Sequence, residues 1–156
     1  MANYTHEGAT KHLNDLYRNP LAVPLFVGVV IGLVAADATT LLPATSILAD
    51  AAAIELGMST RAPLTVEGVP VYGEPALVNG KMTIVLADRI WLIPDKSAPG
   101  DMPDTHLTKA LFITDAPVGD IGTLVHVIPL AAQYQKRVLT GEDLSIGIGL
   151  LPISKE

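Results

Sequence analysis

The chain contains no cysteine. That excludes disulfides, thiolate nucleophiles and cysteine-ligated zinc, and it leaves the redox compartment open. Aromatic residues are scarce at 4% and charged residues make up only 17%, a balance that suits small, closely joined strands better than a charged helical bundle. Cations are the rarer charge: 10 Lys and Arg stand against 16 Asp and Glu, giving a net charge of −6 and a pI near 5.1. Nucleic-acid binding requires clustered Lys and Arg to neutralise phosphates. No such cluster is visible, so no nucleic-acid partner is expected. Also missing are a Gly-x-Ser-x-Gly elbow, a phosphate-cradling Gly-x-x-x-x-Gly-Lys and a His-Glu-x-x-His pair, which leaves a non-enzymatic role as the expectation. Gly147 and Gly149 lack the third glycine and the following helix of a dinucleotide loop.

What the chain has in quantity is apolar side chain. Hydrophobic residues make up 49% of 156 positions and the mean hydropathy is +0.42, more than a small free globule usually buries. Either a membrane or a large oligomeric interface is expected to take up the excess. The uncharged run VPLFVGVVIGLVAA, Val23 to Ala36, decides between these. A helical span needs ~20 apolar residues. This run is shorter, contains Pro24, and is rich in β-branched Val and Ile, which favour extended backbone. A core strand is expected, with Gly28 and Gly32 marking a bulge or a close approach. The alternative keeps residues 23–36 as a partial membrane span, with the two glycines at the spacing that lets membrane helices pack.

The expected organisation is a polar N-terminal arm over residues 1–19, a β-rich body over 20–132 and a tail over 133–156. In the arm, Leu13 and Leu16 have helical spacing, so a short helix or an extended arm both fit; its polar, acidic start is not that of a signal peptide. The string SILADAAAIELG predicts a helical insert over about 46–57, with Gly57 as its stop. Beyond Arg61 the texture is that of strands. Leu64, Val66, Val69 and Val71 alternate around a break at Gly68; Asn79-Gly80 is the strongest hairpin signal, because a type I′ turn needs positive φ at both central residues. A strand over Ile90 to Ile93 leads into a loop rich in Pro and Gly. LFITDAPVGDIGTLVHVIPL then predicts strand, turn, strand.

The segments VPLFVGVVIGLVAAD (Val23 to Asp37), Leu64 to Val71 within APLTVEGVPVYG, DRIWLIPD, and Phe112 to Val127 within LFITDAPVGDIGTLVHVIPL resemble, in that order, the small β-rich decoration (cement) proteins of tailed-phage heads. The resemblance covers about half the chain; the alanine-rich insert between Thr40 and Ser59, the arm and the tail depart from it. It implies a small β-barrel or β-tulip body with one short helix, which assembles, often as a homotrimer, on the outside of the major capsid protein lattice. Such a protein is made in the host cytoplasm, resides on the virion exterior and stabilises the shell by binding only its assembled form. On this expectation Tyr4, Tyr17 and Arg18 contact the capsid, Val29, Ile31, Trp91 and Phe112 anchor the core or the oligomer, and no cofactor, metal or membrane is involved.

Other constellations are weaker. His6 and His12 lie six positions apart, which is not a helical ligand spacing. Asp101, Asp104 and His106 fall in a segment that reads as a solvated loop. Alternation turns His126 to the face opposite Val125 and Val127; a β-barrel ligand-binding or enzyme subunit would build an intersubunit site from His106, His126 and nearby acids. Lys136 and Arg137 read as a solvent-facing or interfacial pair.

Overall fold

The structure, a computed structural model, describes residues 5–18, 24–33, 47–52, 55–56, 60–92, 106–130, 133, 144–147, 149 and 152–155. The described residues are mainly β, 45% strand and 20% helix, and among them the sheets form no closed barrel. The chain divides into two compact units, one of residues 1–24, 63–90 and 145–156, the other of residues 25–62 and 91–144.

In the first unit, helix α1 (His6–Leu13) continues into one turn of π-helix, Asn14–Arg18. Thr5 caps it: its side-chain oxygen accepts from the Gly8 amide at 3.0 Å, and Glu7 in the first turn complements the positive end of the helix dipole. Ala9, Leu13 and Tyr17, spaced by four, make one buried stripe. Of the two expected forms, short helix or extended arm, the described segment takes the helix. Strands β3 (Thr65–Val66) and β4 (Val69–Pro70) form a two-residue hairpin through Glu67 and Gly68, both at positive φ (53° and 80°). Strands β5 (Ala76–Val78) and β6 (Lys81–Ile84) join through Asn79 and Gly80, at φ 50° and 80°, as the hairpin signal predicts. Strand β11 (Ile153–Lys155) pairs with the other edge of β6 to complete the order β11-β6-β5, and α1 packs against β6.

The second unit is built on β1 (Phe26–Leu33), antiparallel to β8 (His106–Thr114), which in turn pairs with β9 (Leu124–Pro129); β2 (Ala62–Pro63) lies on the far side of β1. The Val23 to Ala36 run is thus a strand in its described part. No helix among the described residues is long and apolar enough to cross a membrane. The β1–β8 register shifts between Val30 and Ile31, a bulge lying between the two glycines. Helix α2 spans Leu48–Ala52; of the helix expected over 46–57, residues 46, 53, 54 and 57 lie outside the described residues, and Ile47, Glu55 and Leu56 are not helical. Sheet pairing competes successfully with helix propensity there: Glu55 bridges Val30, and the Leu56 amide donates to the Val29 carbonyl at 2.9 Å. Val30, Leu48, Ala51, Ala110, Phe112 and Ala116 form a core cluster with Leu124 and Val127 against it. The remaining strands, β7 (Ile90–Leu92) and β10 (Leu144–Ile146), are short.

Because Leu13 is fully buried in the first unit, Leu13→Ala is expected to cost about 3 kcal/mol through lost transfer energy and a residual cavity. A urea titration followed by circular dichroism checks this; a change below about 1 kcal/mol would return residues 1–19 to the status of a detachable arm.

Candidate assembly surface and its buried support

Each unit exposes apolar side chains on short strands or turns. In the first unit these are Val66 and Val69 on the β3–β4 hairpin, Leu77 and Val78 on edge strand β5, and Val85 just after β6. Val66 and Val69 are directly opposed in the antiparallel register. Leu64 and Val71, each two residues further back, share their face by strand alternation. The Val71 amide donates to the Leu64 carbonyl at 2.9 Å, and both side chains are buried. One face of the hairpin is thus an apolar ladder, covered at its base and open at its tip, where Val69 is 65% exposed. In the second unit Trp91 is 57% exposed between buried Ile90 and Leu92, and the β8–β9 loop exposes Val118 and Ile121.

Beneath that loop lies an ion pair whose arginine is buried and whose glutamate is partly exposed. Arg61, 3% exposed, donates from Nε to Glu55 Oε2 and from Nη2 to Glu55 Oε1, both at 2.8 Å. Nη1 donates to the Ala116 carbonyl at 2.8 Å and Nη2 to that of Gly119 at 2.6 Å. These bonds occupy four of the five guanidinium N–H groups. The Arg61 amide adds a bond to the Pro117 carbonyl at 3.0 Å, and the guanidinium carbon stands 5.2 Å from the Phe112 ring centre, within cation–π range. Gly28 makes room for both partners: a Cβ there would lie 2.3 Å from Phe112 Cζ and 2.6 Å from Glu55 Oε2. The close approach expected at a β1 glycine is therefore by side chains rather than backbone.

The residues expected to act are distributed unevenly. Val29 and Phe112 are fully buried and Ile31 half-buried, consistent with core anchors of the second unit, whereas Trp91 is no core residue. Tyr17 is buried, with its ring edge-on to Tyr72 at 6.0 Å between centroids. Arg18 donates to the Tyr72 carbonyl at 3.1 Å and to Asn14 Oδ1 at 2.6 Å. These bonds tie both Tyr17 and Arg18 into the first unit, so as placed Tyr17 offers no surface to a capsid. Tyr4, Asp101, Asp104, Lys136 and Arg137 lie outside the described residues, as does the side chain of His106. His126 pairs with Ile113 on β9, where five of six positions are half-buried, so neither strand face is the open one. Among the described residues no three His, Asp or Glu side chains converge as a metal site. The Arg61–Glu55 pair carries no sequence signal, since the predicted helix holds Glu55 within its pattern and Arg61 lies four residues beyond its Gly57 stop. No family model, curated protein or solved structure matches the chain.

Burial pushes the Tyr17 hydroxyl up to about 12 and that of Tyr72 further, the latter helped by repulsion from Tyr17. An unfolded tyrosine ionises near 10, so above that pH the unfolded chain binds fewer protons than the folded one, and stability falls as pH rises. Stability in urea is expected to be level with respect to these tyrosines below pH 10 and to drop between about 10 and 12. Tyr17→Phe should flatten that drop; an unchanged alkaline profile would contradict the buried pair. Gly28→Ala is expected to cost about 2 kcal/mol or more by overpacking, measured as a lowered urea midpoint at unchanged m-value; a neutral result would contradict the Gly28–Phe112 contact.

Proposed function

We propose that this chain is a non-enzymatic structural subunit of a tailed-phage virion. In this reading it binds the outside of the major capsid protein lattice as a homo-oligomer, a trimer on the family resemblance, and stabilises the assembled shell. The observation that carries it is the β3–β4 ladder, whose apolar face continues past the first unit's own core and ends in the opposed, exposed Val66 and Val69. An apolar tip of this kind, repeated by symmetry, suits many weak contacts that add up by avidity. Exposed Leu77 and Val78 on an edge strand support the same reading, because edge strands left apolar invite pairing with another chain.

The test is co-sedimentation of the purified chain with tailed-phage heads stripped of surface proteins and, in parallel, with unassembled capsid protein. Light scattering gives the oligomeric state in detergent-free buffer. A discrete trimer that sediments with the heads alone is expected. Burying one valine is worth roughly 1.5–3 kcal/mol, so Val69→Asp should weaken head binding or trimerisation at least about tenfold while far-ultraviolet circular dichroism is unchanged. A monomer with no affinity for heads, or a requirement for detergent, would overturn the reading.

A further inference from the structure

The β8–β9 loop is exposed at every position from Pro117 to Thr123, and Ile121 is 90% exposed. A loop with so little packing of its own is ordinarily among the least rigid parts of a fold. This one is attached from below at closely spaced points: the carbonyls of Ala116, Pro117 and Gly119 all accept from Arg61, two from its guanidinium and one from its amide. Its far end is tied by the Thr123 amide, which donates to Asp115 Oδ1 at 2.7 Å. We propose that Arg61 is a positioning residue that pre-organises this loop, so that Val118 and Ile121 are held at fixed places on the surface of the free protein.

The guanidinium can do this because it is itself immobilised. Glu55 holds it through two parallel bonds, and the Phe112 ring lies beside it. Rotating it away from the loop would leave a charge nearly without solvent contact and unpaired, which a protein interior does not tolerate. A planar fork is also required, since a single ammonium cannot address the carboxylate and two carbonyls in these directions at once. The consequence is a loop whose ordering cost is met during folding, with Val118 and Ile121 held in place in the free protein.

Backbone amide relaxation on the full chain tests this. Order parameters at Val118 to Ile121 are expected near the rigid value of about 0.85 in the native protein and below about 0.6 in Arg61→Lys. Val29→Ala, which opens a cavity in the same unit without touching Arg61, is the control and should leave the loop rigid. If Arg61→Lys fails to fold, Glu55→Gln, which removes one carboxylate acceptor but leaves the guanidinium, is read in the same way. A native loop already below about 0.6, a loop that stays rigid in the clamp variant, or equal loosening in Val29→Ala would each overturn the proposal.

Discussion

A guanidinium can stay inside a protein only if its charge and its donors are answered there. The second unit is arranged around that requirement. Arg61 needs the Glu55 carboxylate, and Glu55 is held beside it by bridging to Val30. It also needs carbonyl oxygens, which the β8–β9 loop supplies, and a flat neighbour, which Phe112 supplies. Phe112 and Glu55 together leave no space for a side chain at position 28. Removing Glu55 would strand the buried guanidinium's charge, a change usually worth about 3–5 kcal/mol.

The first unit rests on apolar packing instead. Its segments come from the beginning, middle and end of the sequence, so the α1 stripe and the β11–β6 pairing can form only after long loops have closed. That places its stability in contacts distant in sequence. It also explains why two tyrosines are kept neutral there: an ionised phenol in the Tyr17–Tyr72 contact would have to be desolvated.

Local chemistry was legible where it is self-contained. Asn79-Gly80 specifies its turn without outside help, and the β-branched run around Val29 specifies a strand because its length and branching disfavour helix and span alike. The strand, turn and strand from Phe112 to Val127 were legible for the same reason. Glu67-Gly68 was not, because glutamate is a poor resident of positive φ; the gap between Val66 and Val69 was legible only as a break. Glu55 was hidden by the helix propensity of its alanine-rich surroundings, which tertiary pairing overrode. Arg61 was hidden because, besides Glu55, its side chain bonds backbone carbonyls more than 50 residues away, and no spacing rule encodes them. The helix of residues 6–18 was legible as one of two options, but its burial was not, since a mostly polar segment with three apolar contacts carries little periodic signal.

Gly28 has a further effect on strand alignment. It sits directly opposite Phe112 in the β1–β8 ladder, with Val27 and Val29 on either side. A slip of one residue would bring a branched side chain to the place where even a methyl group collides with the ring, and would exchange the side chains on the two covered faces of β1. A slip of two would set Phe26 or Val30 there. The sheet's hydrogen bonds could be remade after any of these shifts, so they do not choose among them. The missing side chain does: a long, uncharged, valine-rich strand that could otherwise slide along its neighbour has one alignment in which the aromatic ring fits.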